Sequence, residues 1–454
     1  MATGLIHDPT EDCQACVVCR NNRPFQLPDE IVEACLEGKL IVFAGAGIST
    51  ETRPVFPSTF YEEIVHSIGA TGSRITFPQA MASFTNKYGR SRLLQLIKHR
   101  FDYIESFPEL RLWASRFHVE LSTIYPIRDI VTTNWDALFE DFTGAIPIVT
   151  PEDYAFWDLP ERKVFKIHGS INNLGTIVAT EKDYDQCYKR LQAGVIGSSL
   201  RHLLATKTPL FVGYSFEDTD FNRLYGYLKR EMGEVLPRSF IVTIDERITH
   251  KTHSGSTVIY TDGAFFLNVL KKRLVEDKVM FPDSNFDGLE EILDRVNEAN
   301  RNLFVQLPYK ENPSVIYAAS YQDGLRHALQ RIIVRRRTGE YSDPHHVIHR
   351  LESYERLLKG ARRAKRYFDV AYIEGYLNGM MCLADPDEWR AQVPIYFVFG
   401  SDASLDSFDA FLVEHRRAAE LHRTAFAKAR KIVADTEDSH AIYHTPFLSG
   451  VTPA

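Results

Sequence analysis

Five short apolar runs, each of which stops at small or polar residues, alternate with helical patterns through the first 280 residues of the chain. The runs end at Gly-Ala-Gly (45–47), Asn-Trp-Asp (134–136), His-Gly-Ser (168–170), Gly-Tyr-Ser (213–215) and Ile-Asp (244–245). Strands that alternate with helices form parallel sheets, because a connection between parallel strands has to cross over the sheet. The sequence therefore predicts an α/β fold with a Rossmann-like parallel sheet and flanking helices.

The strand ends also predict a ligand pocket. In an open parallel sheet, ligands bind outside the carboxyl ends of the strands, where all five clusters are expected. Small residues such as Gly45 and Gly47 let backbone N–H groups approach a phosphate, and a helix that begins there adds its positive end. The third glycine of the dinucleotide fingerprint is replaced by Thr50, so this motif alone is equally well a tight turn. Five clusters together favour a pocket.

Composition excludes some classes of protein. The net charge is −7 with 25% charged residues, which argues against a globally basic nucleic-acid binder. Two arginine-rich stretches, 331–340 and 359–366, leave direct nucleic-acid binding open, although such charges also form solvated helix faces. The sequence has no apolar run of about 18 residues and no signal-peptide pattern, so we expect no membrane contact and a cytoplasmic location.

The pattern of apolar and polar residues changes after about residue 280. Residues 281–288 resemble a linker, and helical patterns dominate beyond them. We therefore expect an N-terminal cysteine-containing segment over 1–27, an α/β domain over 28–278, and a mainly helical domain over 289–454. A chain of 454 residues is long enough for two or three such domains.

Three cysteines, Cys13, Cys16 and Cys19, form a C-x-x-C-x-x-C cluster. In a reducing compartment such clustering indicates a metal more than disulfides, and a tetrahedral zinc site needs a fourth ligand. His7, Cys35 or a neighbouring subunit are candidates for that ligand. The alternative is a tail with incidental cysteines, so zinc stays an open option and we assign no metal to the predicted site.

The strand-end motifs occur in a characteristic order. GAGIS (45–49), TTNWD (132–136), KIHGS (166–170), VGYS (212–215) and the strand end at Asp245 together resemble the sirtuin-like (SIR2) superfamily. The likeness is greater to the bacterial SIR2-like domains of anti-phage defence proteins, and it covers roughly residues 30 to 275. It implies that the 28–278 domain binds NAD.

The resemblance assigns roles to individual residues. It implies that Asn134 contacts the nicotinamide ribose and the attacking water, and that His168 is the second catalytic residue. Asp136 would hold the nicotinamide carboxamide, and the remaining contacts to NAD would come from Ala46, Gly47, Ser49, Gly213, Ser215 and Asp245.

The chemistry of these residue types agrees with that assignment. Cleavage of the N-glycosidic bond of NAD creates an oxocarbenium-like cation, which needs fixed dipoles in a water-poor pocket. An amide such as Asn134 both donates and accepts hydrogen bonds, and His168 can act as general base near neutral pH. Taken singly, Asn134 is equally a turn residue, and His168 is equally a strand-end histidine bonded to the backbone.

Departures from the sirtuins indicate the reaction. Sirtuin deacetylases carry a zinc ribbon with two cysteine pairs between the His-Gly and Gly-Ser motifs. The matching interval here, residues 171–211, contains a single cysteine, Cys187. Thr133 stands where sirtuins have Gln. The defence branch shares these departures and uses water as the acceptor. We therefore predict an NAD glycohydrolase that releases nicotinamide and ADP-ribose, an effector of anti-phage defence through NAD depletion.

Two other functions are retained as alternatives. A protein deacylase or ADP-ribosyltransferase would use the same NAD pocket with a protein acceptor, and a non-catalytic sensor would bind NAD or ADP-ribose only. An unregulated NAD hydrolase would harm its own cell, so we expect the helical domain over 289–454 to control activity through a homo-oligomer or a partner. The resemblance implies a HerA-type ATPase, or another activator from a defence system, as that partner.

Overall fold

The computed structural model of the chain describes residues 19–51, 55–72, 74–214, 219–249 and 255–446. The chain divides into two compact units. The first unit extends to Val279 and includes Arg337–Gly339. The second unit takes Met280–Arg336 and the chain from Glu340 onward.

The first unit is built on a parallel sheet that has seven strands among the described residues. The strands are β1 Leu40–Ala44, β2 Asp129–Thr132, β3 Ile146–Ile148, β4 Lys163–Lys166, β5 Thr208–Val212, β6 Ser239–Thr243 and β7 Ser256–Tyr260. Their order across the sheet is β3-β4-β2-β1-β5-β6-β7, and every neighbouring pair is parallel. All five residues of β1 are buried, as expected for a central strand covered on both faces.

Helices connect these strands and cover the sheet. They are α1 Asp29–Leu36, α2 Phe60–Ile68, α3 Phe77–Tyr88, α4 Arg90–Ser106, α5 Pro108–Ser122, α6 Leu138–Thr143, α7 Glu181–Ala193, α8 Val195–Thr206, α9 Thr219–Met232 and α10 Gly263–Glu276. Local sequence explains where some of them begin. Thr59 and Glu62 form a capping box at the start of α2, and Gly69 ends that helix in the left-handed region, with φ +75°.

The strand order places a switch point at the centre of the sheet. From β1 the chain first builds β2, β3 and β4 on one side, and then returns to place β5, β6 and β7 on the other. β1 and β5 are neighbours, with Ala44 paired to Val212 at their carboxyl ends. In sheets of this type the crevice at the switch point binds the ligand, so the ends of β1 and β5 define where a pocket belongs.

The second unit is helical among the described residues. Its helices are α11 Leu289–Gln306, α12 Val315–Arg335, α13 Pro344–Arg363, α14 Tyr367–Ala384, α15 Pro386–Trp389, α16 Phe408–Arg416, α17 Ala418–Leu421 and α18 Arg423–Asp435. Helices α12 and α14 pack closely through two glycines. A Cβ on Gly324 would lie 1.9 Å from the carbonyl oxygen of Tyr372, and one on Gly375 would lie 2.0 Å from that of Tyr321.

The structure confirms the predicted α/β fold with a Rossmann-like parallel sheet and a mainly helical C-terminal region. Residues 281–288, which resemble a linker in the sequence, include a 3-10 turn over Asp283–Phe286. Phe286 is buried in the core of the second unit, and the Asn285 side chain donates to the carbonyl oxygen of Leu383 at 2.9 Å. Within the described part of the chain, no helix is both long enough and apolar enough to cross a membrane.

Candidate active site

The glycine turns after β1 and β5 are in direct contact at the switch point. The N–H of Gly45 donates to the Val212 carbonyl oxygen at 3.0 Å, and the N–H of Gly47 donates to that of Gly213 at 3.1 Å. A Cβ on Gly45 would lie 2.4 Å from the Gly213 oxygen, and one on Gly47 would lie 2.9 Å from it. The small residues therefore allow two strand ends to approach closely, a structural role that the sequence did not reveal.

The segment after Gly45 differs from the predicted helix start. Ala46–Ile48 forms a single 3-10 turn, and the next α-helix of the described chain, α2, begins at Phe60. In the described part of the chain no α-helix follows the Gly45 turn directly, so the helix start expected here from the sequence is not found at this turn. The turn instead places Ser49, which is fully buried, beside the end of β2.

Asn134 lies just beyond β2, and hydrogen bonds on three sides hold it. Its backbone N–H donates to Thr132 Oγ1 at 3.0 Å, and its Nδ2 donates to the Gly45 carbonyl oxygen at 3.2 Å and to Ser49 Oγ at 3.3 Å. Asn134 is 5% exposed, and its Oδ1 is buried without a hydrogen-bond partner in the described structure. A buried acceptor of this kind is costly unless a ligand or water completes it.

Asp136 completes a polar cluster with Ser49 and Asn134. Its Oδ2 accepts from Ser49 Oγ at 3.2 Å, and its Oδ1 accepts from the N–H of Leu138 at 3.2 Å. Ser49 is therefore the link between Asn134 and Asp136, although it lies more than 80 residues before either of them. We refer to Ser49, Asn134 and Asp136 as the amide–carboxylate cluster.

His168 lies at the neighbouring strand end. β2 and β4 pair in parallel with Thr132 opposite Lys166, so Asn134 and His168 each follow a paired position by two residues. His168 is 3% exposed, and its ring lies 4.9 Å from that of Tyr184. Gly169 has φ +90°, and a Cβ there would lie 2.2 Å from the Thr176 carbonyl oxygen, so the His-Gly pair needs its glycine.

Three further residues were predicted to contact NAD, namely Gly213, Ser215 and Asp245. Gly213 forms part of the glycine turns, with φ +60°, whereas Ser215 lies outside the described residues. Asp245 follows β6, and the guanidinium of Arg247 binds its carboxylate at 2.7–3.1 Å. These hydrogen bonds from Arg247 lower the pKa of Asp245, so its carboxylate is already engaged and a ribose hydroxyl would have to compete for it.

The cysteine cluster is tested only in part by the structure. Cys13 and Cys16 lie outside the described residues, and Cys19 begins a 3-10 turn over Cys19–Asn21. Cys35, one of the candidates for a fourth ligand, is fully buried in α1, and burial raises the pKa of its thiol to about 12.

The two arginine-rich stretches, 331–340 and 359–366, were candidates for binding nucleic acid. In the second unit, several of their side chains pair with acids: Arg335 with Glu340 at 2.5 Å, Arg336 with Asp283 at 3.4 Å, and Arg362 with Glu374. Positive charges that are neutralised in this way contribute little to a phosphate-binding surface. The pairing supports the interpretation of these stretches as solvated helix faces.

Sequence reasoning missed two further residues of the site. Thr132 Oγ1 donates to the Ala44 carbonyl oxygen at 2.9 Å and accepts from the Asn134 N–H, so it joins the ends of β1 and β2. Lys166 is buried on β4 and bonds both Glu140 and the backbone of Asp136. The signal for Lys166 was a charged residue directly after the apolar pair Val164 and Phe165, two residues before His168.

An open parallel sheet, with glycine turns at its switch point and a buried polar cluster beside them, places the first unit among the Rossmann-like α/β proteins. Comparison with known families specifies the type. Residues 128–258 match the model of the SIR2-like domain. This stretch of the chain is therefore similar to the SIR2-like domain, and the resemblance predicted from the sequence is confirmed. The matched stretch includes Asn134, Asp136, His168 and Gly213, but not the glycine turn after β1.

Three curated proteins are similar in sequence to parts of this chain. A NAD(+) hydrolase ThsA from Cytobacillus dafuensis is 31% identical over 212 residues, which are 45% of this chain and 41% of the relative. A NAD(+) hydrolase ThsA from Enterococcus faecium is 28% identical over 263 residues, 53% of each chain. Defense-associated sirtuin 2 from Bacillus subtilis is 21% identical over 308 residues, 63% of this chain and 28% of the relative. The chain thus spans about half or less of these relatives' lengths.

Proposed function

We propose that this protein is an NAD glycohydrolase that cleaves NAD+ to nicotinamide and ADP-ribose. The observation that carries the proposal is the buried amide–carboxylate cluster beside the glycine turns, in which Asn134 Oδ1 accepts no hydrogen bond from the described residues. Such an acceptor can receive a hydrogen bond from a ribose hydroxyl of NAD or from the attacking water molecule. Two relatives that are named NAD(+) hydrolase support the same activity.

Asn134, Asp136 and His168 have separate roles in the reaction. As the bond between nicotinamide and C1′ of the ribose breaks, its electron pair leaves with neutral nicotinamide and positive charge develops on the ribose. Asp136 holds the departing carboxamide, and its negative charge favours the cation. Asn134 orients the water that attacks C1′, and His168 accepts the proton that this water loses. Their burial keeps competing water out of the site.

The interval between the His-Gly and Gly-Tyr motifs supports water as the acceptor. Residues 171–211 fold mainly as α7 and α8, and Cys187 is buried in α7. A zinc ribbon of the sirtuin type, which helps to frame a peptide cleft, is therefore replaced by helices. An enzyme without that frame has less means of binding an acyl-lysine peptide, which favours hydrolysis over transfer to a protein.

The test measures nicotinamide and ADP-ribose by chromatography after the purified protein is mixed with NAD, without any peptide. We expect release by the parent and a loss of about 10²–10⁴-fold in Asn134→Ala and His168→Ala, the range for removal of an orienting or general-base group. Matched controls are Asn86→Ala on α3 and His99→Ala on α4, both exposed, which should retain the parent rate.

Other outcomes would identify other functions. Nicotinamide release that requires an added acyl-lysine peptide would mark a protein deacylase or an ADP-ribosyltransferase. NAD binding by calorimetry without turnover in any condition would mark a sensor. Absence of both binding and turnover would contradict an NAD site altogether, and equal rates in Asn134→Ala and the parent would remove the role assigned to Asn134.

We further propose that the enzyme acts in anti-phage defence and that its activity is controlled. Cleavage of NAD without control would deplete a cofactor that the cell needs, so the active state has to wait for a trigger. The second unit carries a large helical core of its own and none of the predicted site residues. Control by this unit, through self-assembly or an activator such as a HerA-type ATPase, fits that separation of roles.

A further inference from the structure

Lys166 is a fully buried charge at the carboxyl end of a strand of the parallel sheet. It ends β4, its side chain is 0% exposed, and its neighbours Val164 and Phe165 are the apolar residues that such strands normally carry. Its Nζ lies 3.0 Å from Glu140 Oε1 and also donates to the backbone carbonyl oxygen of Asp136. One ammonium group therefore joins β4, the start of α6 and the turn that follows β2.

Stability alone does not explain this arrangement. Moving two charges out of water is costly, and a buried ion pair often gives no more stability than an apolar pair of the same volume. Burial raises the pKa of Glu140, and the charge of Lys166 opposes that shift. What an apolar pair would not supply is the hydrogen bond from Lys166 to the Asp136 carbonyl oxygen.

That hydrogen bond acts on the amide–carboxylate cluster. Lys166 fixes the peptide group that follows Asp136, and the carboxylate of the same residue accepts from Ser49. Ser49 in turn accepts from the Nδ2 of Asn134. A continuous set of hydrogen bonds thus extends from Glu140 through Lys166 to Asn134, and His168 lies two residues after Lys166 on the same segment.

We propose that Lys166 is a positioning residue, which holds Asp136 and Asn134 in the geometry required for cleavage of NAD. This inference rests on the proposed hydrolase function. Lys166 is buried beneath the cluster and acts through Asp136, so it need not touch NAD itself. A misplacement of about 1 Å in a reacting group can lower a rate by about 10²-fold, so a small shift of this turn would be sufficient.

The decisive variant removes both charges together. Lys166→Met alone leaves Glu140 buried without its cation and is expected to unfold at a lower temperature. Lys166→Met with Glu140→Met replaces the pair by apolar side chains and should recover most of the thermal midpoint. We expect this double variant to show a kcat about 10²-fold below that of the parent, with KM changed only a few-fold, because the bond to Asp136 is still missing.

A second buried pair of the same unit provides the matched control. Lys271 and Glu120 lie 2.7 Å apart with side chains 7% and 10% exposed, and they join α10 to α5. Replacing both by Met removes the same charges from a similar environment. This control should retain the parent's kcat if the effect at Lys166 is one of positioning rather than of the general loss of a buried ion pair.

Hydrogen exchange makes the test independent of turnover. Amides of residues 134–139 should exchange faster in the Lys166/Glu140 double variant than in the parent or the Lys271/Glu120 control. A folded double variant with the parent's kcat and exchange rates would overturn the inference. If the double variant exchanges faster but the parent does not cleave NAD under any condition, Lys166 positions the turn and the proposed function is wrong, so the two failures are distinguishable.

Discussion

At the scale of single residues, the contact between glycine turns is the most exacting feature of the site. A side chain on Gly45 would meet the backbone of Gly213 at 2.4 Å, and that backbone is tied to β5 and has little freedom to move away. The glycines were singled out in the sequence as phosphate-binding residues. Their first requirement is packing, and any role in binding NAD depends on it.

Gly45→Ala is therefore expected to destabilise the first unit. Overpacking of this kind typically costs about 1–3 kcal/mol, which should lower the thermal midpoint and abolish or strongly weaken NAD binding in calorimetry. The control is Gly360→Ala in α13, where an added Cβ meets nothing within 4 Å and alanine is the better helix former. An unchanged midpoint and NAD affinity in Gly45→Ala would show that the two turns separate without cost.

At the scale of elements, helix α16 carries a titratable group in an apolar environment. His415 is 8% exposed, its ring lies 5.1 Å from that of Phe411, and its Nδ1 lies 3.4 Å from Ser314 Oγ. Burial lowers the pKa of His415 to about 4, whereas an unfolded histidine titrates near 6.5. The unfolded chain therefore binds more protons than the folded chain between these pH values.

The free energy of unfolding therefore rises with pH across this window. The stability contributed by neutral His415 is present above about pH 6.5 and is lost as the pH falls toward 4, by up to about 1.4 kcal/mol per pH unit. His415→Leu should flatten the dependence of the thermal midpoint on pH in this window, whereas His349→Leu, at an exposed site on α13, should not. Equal pH profiles in parent and His415→Leu would contradict the shift.

The elements that sequence reasoning missed share a physical cause. β3 has only three residues, one of them Pro147, and lies at the edge of the sheet, where proline is tolerated. β7, at the opposite edge, has only two buried residues, so its apolar signal is weak. Pairing with β4 and β6 makes these segments strands, and such pairing leaves little trace in local periodicity.

At the scale of the whole molecule, the chain combines a first unit, in which residues 128–258 are similar to the SIR2-like domain, with a second unit that has its own core. Among the described residues of the second unit there is no counterpart of the glycine turns or of the amide–carboxylate cluster. This separation is the basis for assigning control of activity to the second unit. The curated relatives are covered only in part, so their whole-protein behaviour is no guide here.

Control by self-assembly predicts a dependence on protein concentration. Light scattering after size exclusion should show an oligomer, and nicotinamide release per chain should change over the concentration range in which the mass changes. If a partner supplies control instead, the oligomer should have low activity at every concentration until the partner is added. A monomer that is fully active alone would contradict both forms of control.

The sequence by itself determined the α/β class, the order of the strand-end motifs and the identity of Asn134, Asp136 and His168 as candidates. Apolar runs and the residues that end them are local features, and local features can be read along a chain. The resemblance to the SIR2 superfamily used the same motifs.

Only the tertiary structure decided which side chains meet. Ser49 reaches Asn134 and Asp136 because β1 and β2 are neighbours, and Lys166 reaches Asp136 because β4 lies next to β2. The same order places Gly45 against Gly213, more than 160 residues away. Such contacts depend on which strands lie side by side, which hydrophobic periodicity does not encode, and so the partners of each residue appear only when the sheet is assembled.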